Sequence, residues 1–172
     1  DQIRFNLTGL NTITLGSALP TIVSASTGVG SGTAGTVTIT GLGASALNIS
    51  GNNGDVNRNF NIFSIASGGN LSISGVTISG AQTSVRGGAF NNSGNLAVSN
   101  STISGNTTST GAGGGINNNN SGTLNIANST ISGNTAGAGG GINNNSGGTI
   151  TVSSSTISGN TAGTGGGINN NS

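Results

Sequence analysis

Most of the side chains that catalyse reactions or bind metals are missing from this sequence. Its 172 residues contain no Lys, Glu, His, Cys, Met, Trp or Tyr, and only five are charged: Asp1, Arg4, Asp55, Arg58 and Arg86. Acid–base and nucleophilic catalysis rely mostly on His, Cys, Lys, Tyr or paired carboxylates. Zinc and iron–sulfur sites need Cys or His, and calcium sites need several carboxylates. The sequence therefore predicts no enzymatic activity, no catalytic residues, no metal site and no cofactor.

Nucleic-acid binding and a transmembrane helix are also excluded, the first by the scarcity of basic and aromatic residues and the second by the lack of a long apolar run. Three Arg and four Phe cannot neutralise a row of phosphates or stack on successive bases, as a nucleic-acid-binding protein must. No run of 18 apolar residues occurs, so no transmembrane helix is expected. The N-terminus lacks the basic and apolar regions of a signal peptide, and a secreted protein is therefore expected to be present here without its signal segment.

Gly, Asn, Ser and Thr take the place of the missing residues. They make up about 65% of the chain, a composition that by itself is typical of disorder. The apolar residues, however, recur at a fixed period. The last hundred residues contain four units of about 26 residues that begin at Gly69, Gly94, Gly122 and Gly148. Because a fixed period of this length indicates a repeat architecture, the chain is predicted to fold.

Three columns of apolar residues run through the four units. Alternation with a period of two, which is typical of a strand, marks the first column. We predict that these residues form the core: Leu71 and Ile73, Leu96 and Val98, Leu124 and Ile126, and Ile150 and Val152 in the first column, Ile78, Ile103, Ile131 and Ile157 in the second, and Phe90, Ile116, Ile142 and Ile168 in the third.

Each unit therefore contains three short strands, separated by Ser-Gly-Asn and Gly-Gly-Gly corners. This arrangement predicts an all-β fold, a parallel β-helix or β-solenoid, in which equivalent strands pair about 4.8 Å apart. The general preference for right-handed crossovers predicts a right-handed coil. Helical solenoids are excluded by the Gly density, since Gly costs about 1 kcal/mol in a helix relative to Ala.

The first 68 residues fit the same scheme with longer loops. A first predicted rung contains Ile3, Phe5, Ile13, Leu15 and Ile22, and a second contains Val37, Ile39, Leu47, Ile49, Phe60 and Ile62, with Ile3 in line with Val37 and Leu71. The prediction is a single domain over residues 1–172 with about six rungs of three strands each. Its irregular part spans residues 1–68, and its regular part spans residues 69–172.

The sequence of the repeats also resembles that of a known family. The units of this chain read Gly-Thr-Leu-x-Ile-x-Asn-Ser-Thr-Ile-Ser-Gly-Asn-Thr-Ala, followed by Gly-Gly-Gly-Ile-x-Asn. This pattern resembles the right-handed parallel β-helix repeats of bacterial surface and secreted proteins, especially those of cyanobacteria. Gly87-Gly88-Ala89-Phe90 is more distantly similar to the Gly-Gly-Ala-Ile repeat of chlamydial polymorphic outer-membrane proteins. The resemblance implies a β-helix that is extracellular or bound to the cell surface.

Asparagine recurs at two positions that the core columns do not explain. Stacked amides form hydrogen-bonded ladders, and Asn tolerates the left-handed backbone of a tight corner. We predict two such ladders, one of Asn106, Asn134 and Asn160, and one of Asn117, Asn143 and Asn169. A row of Asn side chains that binds sugars is the alternative.

Threonine also recurs, beside the second apolar column. Thr77, Thr102, Thr130 and Thr156 are expected to point outward. Regular Thr arrays on flat solenoids can bind ice, but this is a single column, and the residues before it are Val76 and three Ser. The sequence alone therefore does not predict ice binding.

The two ends of the chain suggest a function. Repeat solenoids normally finish in polar caps, because an open end exposes unpaired strand edges and apolar core. No cap is visible here: Ile3, Phe5 and Leu7 form an apolar strand signal at the start, and Ile168, Asn169 and Asn170 belong to a final strand. A head-to-tail contact that does not close makes a filament, and a net charge of +1 offers little repulsion. We therefore expect a structural subunit of an extracellular bacterial fibre, whose partner is another copy of itself, bound by stacking of rungs or insertion of the N-terminal strand.

Two other functions stay open at this point. The chain is alternatively the repeat region of a larger surface adhesin or autotransporter passenger, with surface glycans and host or neighbouring cells as partners. In that case further repeats follow Ser172. A carbohydrate lyase or hydrolase that depends on Asp55 is the other alternative, because β-helix folds often carry such activities, but the missing acid and base residues disfavour it.

Overall fold

The computed structural model describes residues 2–4, 11–23, 36–51 and 59–171, with only the backbone described for 2–4. Within these ranges the secondary structure is entirely β, and the strands pair in parallel with their equivalents in the next coil. The predicted all-β solenoid is therefore confirmed. We number its coils turn 1 to turn 6.

The strands follow one another along the chain as follows. Turn 1 contains β1 (Gln2–Arg4) and β2 (Asn11–Thr14), and turn 2 contains β3 (Thr36–Thr40), β4 (Leu47–Ser50) and β5 (Phe63–Ile65). Turn 3 contains β6 (Asn70–Ser74), β7 (Thr77–Ser79), β8 (Gln82–Thr83) and β9 (Phe90–Asn92), and turn 4 contains β10 (Asn95–Ser99), β11 (Thr102–Ser104), β12 (Thr107–Thr108) and β13 (Ile116–Asn118). Turn 5 contains β14 (Thr123–Ala127), β15 (Thr130–Ser132), β16 (Thr135–Ala138) and β17 (Ile142–Asn145), and turn 6 contains β18 (Thr149–Ser153), β19 (Thr156–Ser158), β20 (Thr161–Thr164) and β21 (Ile168–Asn171).

Equivalent strands stack into four sheets along the length of the solenoid. Sheet 1 consists of β1, β3, β6, β10, β14 and β18, and sheet 2 consists of β2, β4, β7, β11, β15 and β19. Sheet 3 consists of β8, β12, β16 and β20, and sheet 4 consists of β5, β9, β13, β17 and β21. Register is kept throughout the regular part: Ile78, Ile103, Ile131 and Ile157 are direct partners in sheet 2.

The prediction of three strands per rung is wrong for the regular part, because each complete turn has a fourth strand in sheet 3. Four turns are complete, and two partial turns precede them in the described chain, where about six rungs of three strands each were predicted. Sheet 3 escaped prediction because its strands have only two to four residues. Their buried residues are Thr83, Thr108 and Ala136, so no column of large apolar residues marks them.

The predicted third strand of the second rung, with Phe60 and Ile62, is wrong, because the strand at this place in turn 2 is β5 (Phe63–Ile65). Phe63, not Phe60, is the residue that pairs with Phe90, and the two rings stack with their centroids 5.2 Å apart. Phe60 instead forms an antiparallel bridge with Gln82. The spacing of apolar residues fits either phenylalanine, so contacts with turn 3 decided between them.

The predicted register of the first column is wrong in turn 1. Ile3 pairs with Ile39, and Ile39 pairs in turn with Ile73, so Ile3 lies in line with Ile73 rather than with Val37 and Leu71. A period of two fits both frames equally well, because a shift by two residues leaves the same side chains on the inward face. From turn 3 onward the predicted register is confirmed, since Ile73 pairs with Val98 as Leu71 does with Leu96.

The predicted core residues lie inside the coil in turns 3 to 5. All twelve of them in these turns are at most 2% exposed, and burial of each large aliphatic side chain contributes about 1.5–3 kcal/mol. In turn 6, Ile150 and Ile157 are partly buried, whereas Val152 and Ile168 are 38% and 41% exposed. The apolar core therefore reaches the surface at turn 6.

Candidate assembly end and the polar ladders

Asn106, Asn134 and Asn160 lie at the corner between sheets 2 and 3 and are joined by their amides. The Oδ1 of Asn134 accepts hydrogen bonds from the backbone N–H and the Nδ2 of Asn106, both at 3.0 Å. Its Nδ2 donates to the carbonyl oxygen of Ile103 at 3.0 Å and to the Oδ1 of Asn160 at 2.9 Å. Asn106 and Asn134 are completely buried. This ladder ties each corner to the backbone of the turn before it.

A second ladder runs along sheet 4 on the strand face opposite Ile116. The Nδ2 of Asn117 donates to Asn91, that of Asn143 to Asn117 and that of Asn169 to Asn143, at 2.8–3.0 Å. Asn117 and Asn143 are at most 1% exposed, because the glycine corner that precedes each strand packs against them. Since the buried members of both ladders cannot reach a ligand, they do not form a sugar-binding row.

A third ladder was missed by the sequence reasoning. The Nδ2 of Asn92, Asn118 and Asn144 each donates to the Oδ1 of the equivalent Asn in the following turn, ending at Asn170, at 2.7 Å in every step. These amides donate in the opposite direction to those of the second ladder. Asn118 follows Ile116 by two residues, so strand periodicity places it on the inward face, and this spacing was the available signal.

Serine hydroxyls form a further ladder, also missed, at the corner between sheets 1 and 2. The hydroxyl of Ser129 donates to the carbonyl oxygen of Ala127 at 2.7 Å and accepts from the backbone N–H of Ser101 at 3.2 Å. Ser101 and Ser155 make equivalent contacts in their own turns. The hydroxyls of this ladder are therefore satisfied from within, as most buried polar groups are.

The outer side of turn 6 combines strand edges with apolar surface. Each strand from β18 to β21 is the last of its sheet, with a partner on one side within the described chain. A recess of about 480 Å³ opens there, and Ile150, Val152 and Ile168 line it. Of the predicted assembly residues, Ile168 lies in this recess, Asn169 ends the second ladder and Asn170 ends the third. We call this surface the turn 6 end.

The opposite end is described only in part. Ile3 belongs to β1, the outermost strand of sheet 1, whereas Phe5 and Leu7 lie outside the described residues. An apolar groove of about 350 Å³ runs through turns 1 and 2, lined by Leu19, Ile22, Val37, Ile39 and Phe63. The described part of the N-terminal end is thus apolar, like the turn 6 end.

Charge is almost absent from the described surface. Arg86, which is exposed at a corner of turn 3, is the one charged side chain of the described part, because Asp55 and Arg58 fall outside it. No three His, Cys, Asp or Glu residues come together among the described residues. Neither end of the solenoid therefore presents a described charge that would repel another turn.

This composition predicts a stability that is independent of pH near neutrality. With no His and only Asp1 and Asp55 as acidic residues, almost nothing titrates between pH 5 and 7. The free energy of unfolding should change by less than about 0.5 kcal/mol over this range. Urea unfolding at several pH values measures it. A steeper dependence would contradict the prediction and show that an aspartate carboxyl has a perturbed pKa.

The described residues contain no helix that could cross a membrane. Comparison of the chain with protein-family models, with curated protein sequences and with solved structures gave no match. Function therefore has to be argued from the geometry of the solenoid.

Proposed function

We propose that the chain is a structural subunit of an extracellular bacterial fibre that assembles head to tail through the turn 6 end. The observation that carries the proposal is the apolar core at this end, where Val152 and Ile168 are 38% and 41% exposed beside four strand edges. In turn 5 their equivalents, Ile126 and Ile142, are at most 1% exposed because turn 6 covers them. A further turn of β-structure would cover Val152 and Ile168 in the same way.

The direction of the strands supports stacking in one orientation. All strands of sheet 1 are parallel, so β1 of one copy can continue the sheet beyond β18 of another without reversal. The same holds for β2 beyond β19 in sheet 2. Stacking of copies along the axis of the solenoid keeps the two outer ends apart, so this head-to-tail contact does not close into a ring and extends into a filament.

The energetics favour this contact. Burial of the 38% and 41% of Val152 and Ile168 that are still exposed contributes about 0.6–1.2 kcal/mol for each side chain. Strand edges with unpaired N–H and C=O groups are templates for another strand. The described surface carries no charge near this end to oppose the approach of a second copy. Insertion of the N-terminal strand of one copy at the same edge would use the same contacts.

An extracellular location is part of the same proposal. It is supported by the resemblance of the repeats to bacterial surface proteins and by the distribution of basic residues. No Lys or Arg occurs between residues 87 and 172, so a trypsin-like protease finds no cleavage site in the second half of the chain.

Assembly can be tested with one variant at the end and one on the side of the solenoid. Electron microscopy of the purified chain at high concentration should show filaments as wide as one solenoid. The Val152→Lys variant should remain monomeric, because a charge would be buried in the stacked core. Val85→Lys is the matched control: Val85 is 58% exposed at a side corner, and its substitution should leave filaments intact.

Three results would overturn the proposal: monomers at every concentration, filaments of Val152→Lys, or loss of filaments in Val85→Lys. Size-exclusion chromatography with light scattering provides the monomer mass, near 16.2 kDa. A monomeric chain would favour the second candidate, the repeat region of a larger surface adhesin. That candidate is supported by turn 6, which keeps the register of turns 3 to 5 and so could receive another turn of the same polypeptide.

A further inference from the structure

The outer face of sheet 2 carries a regular two-dimensional array of hydroxyl groups in turns 4 to 6. Each of β11, β15 and β19 has the sequence Thr-Ile-Ser, with Ile inside and both hydroxyl residues outside. The strands are in register, so Thr pairs with Thr and Ser with Ser. Neighbouring hydroxyls are about 4.8 Å apart between strands and about 6.8 Å apart along a strand. We call this surface the hydroxyl face: Thr102, Ser104, Thr130, Ser132, Thr156 and Ser158.

The column of Ser residues (Ser104, Ser132 and Ser158) beside the Thr residues distinguishes this face from the single Thr column that the sequence suggested. Residues before each Thr, such as Ser129, point into the corner and form the serine ladder. The partners of the Thr column on the surface are instead the Ser residues two positions later. The array therefore has two columns and three rows.

Unlike the Asn and Ser side chains of the ladders, the side chains of the hydroxyl face make no hydrogen bonds to neighbouring turns among the described residues. None of the six hydroxyls takes part in a hydrogen bond within the described chain. Those of Thr77 and Ser79, the equivalents in turn 3, are bonded to Ala44 and Asn48. The hydroxyl face begins where these contacts end, so all its donors and acceptors point to solvent.

Two properties of the hydroxyl face limit what it can bind. Thr side chains are β-branched and have few rotamers, and parallel pairing on both sides fixes β11 and β15, so the hydroxyls of turns 4 and 5 hold their spacing. No charged or aromatic residue belongs to the face. Sugar rings are usually bound by stacking on aromatic side chains, and charged ligands need an opposite charge, so neither suits this surface.

We propose that the hydroxyl face binds ice. An ice surface is a flat, uncharged lattice of oxygen atoms that donate and accept hydrogen bonds at regular spacings of a few ångströms. A rigid array of uncharged hydroxyls, interspersed with the methyl groups of Thr, matches this chemistry because each hydroxyl, with one donor and two acceptor positions, can make most of the hydrogen bonds of the lattice water that it replaces. The site lies on the side of the solenoid, so binding does not depend on assembly at the turn 6 end.

Inhibition of ice recrystallisation by the full chain tests this proposal. The unmodified chain should inhibit growth of ice grains, and Thr130→Lys should require at least a tenfold higher concentration, because a charged, strongly hydrated side chain breaks the centre of the array. Asn125→Lys is the matched control: Asn125 is exposed in the same turn but belongs to sheet 1, and it should inhibit as the unmodified chain does. Circular dichroism checks that each variant is folded, and Ser132→Lys provides a second substitution in the array.

The proposal is overturned if the unmodified chain has no effect on ice grains, if Thr130→Lys and Ser132→Lys inhibit fully, or if Asn125→Lys loses inhibition to the same extent. Sedimentation with microcrystalline cellulose at room temperature is a parallel measurement. Binding to cellulose that Thr130→Lys abolishes, without any effect on ice, would assign the face to a polysaccharide and would also overturn the proposal. The Val152→Lys variant should inhibit ice recrystallisation as strongly as the unmodified chain does. This variant therefore separates ice binding from assembly.

Discussion

Replacement of Asn134 by Ala should lower the free energy of unfolding by about 3 kcal/mol. Asn134 is completely buried, and its side chain makes four hydrogen bonds, to two groups of Asn106 and to one group each of Ile103 and Asn160. Each buried donor or acceptor that loses its partner costs about 1–3 kcal/mol. The backbone N–H of Asn106 would be left without its acceptor. Urea unfolding, followed by circular dichroism at a concentration at which the chain is monomeric, measures the change.

Asn125→Ala is the control for this prediction. Asn125 lies in the same turn, but its side chain is exposed on the outer face of sheet 1. Its replacement should change stability by no more than about 0.5 kcal/mol. If Asn134→Ala costs less than about 1 kcal/mol, or if the two variants are equally destabilised, the ladder does not stabilise the corners.

Asn134→Asp separates the acceptor from the donor and adds a pH dependence. The carboxyl would be buried in turn 5, whereas the one described cation, Arg86, lies at an exposed corner of turn 3. The pKa of the carboxyl in the folded protein should therefore rise above the unfolded value of about 3.9. When the pKa of a carboxyl is higher in the folded than in the unfolded protein, the free energy of unfolding is highest below the unfolded pKa, where the carboxyl is protonated in both states. It falls as the pH rises toward and through the folded pKa. The variant should therefore be most stable near pH 3 and clearly less stable at pH 7. Equal stability at both values would contradict burial of this side chain.

A second large effect is expected from Gly114→Ala, which should cost about 3 kcal/mol. A Cβ on Gly114 would lie 2.5 Å from the carbonyl oxygen of Gly140 and within 2.7 Å of the backbone of Thr135. All three contacts are with backbone atoms of turn 5, which cannot rotate away as a side chain would. The added methyl group must therefore push turns 4 and 5 apart. Urea unfolding of this variant measures the loss.

Gly133→Ala shows how much of such an effect comes from backbone conformation alone. Gly133 has a φ of +63°, but a Cβ there would meet nothing closer than 4.0 Å. A left-handed conformation costs a residue with a side chain about 1 kcal/mol. Gly133→Ala should thus be the milder change. If it were as destabilising as Gly114→Ala, the close approach between turns would not be the reason for glycine at position 114.

Some features of this protein could be predicted because they repeat along the chain. The column of Ile78, Ile103 and Ile131 follows from the period of about 26 residues, and the pairs such as Leu96 and Val98 follow from alternation with a period of two. Both periods are properties of the sequence itself. They lead to parallel strands in register without any knowledge of contacts.

Other features depend on which atoms of neighbouring turns meet. Each of the shortest strands of sheet 3 has one buried residue, such as Thr108 in β12. A strand with one buried residue shows no periodicity of apolar residues by which the sequence could predict it. The choice of Phe63 over Phe60 depends on stacking against Phe90. Asn117, Asn118 and Asn119 are identical in the sequence, yet each has a different set of hydrogen bonds.

The sequence by itself thus determined the fold class, the core columns and the positions of the corners, because the spacing of apolar residues is set along the chain. Only the tertiary structure decided the fourth strand of each complete turn, the third asparagine ladder and which hydroxyls are left facing solvent. These depend on contacts between residues 25 to 33 positions apart, as between Asn106 and Asn134, Asn92 and Asn118, or Thr77 and Ala44. Some polar side chains are hydrogen-bonded to the next turn, whereas others of the same residue type face solvent. The residue type alone does not distinguish the bonded side chains from the exposed ones.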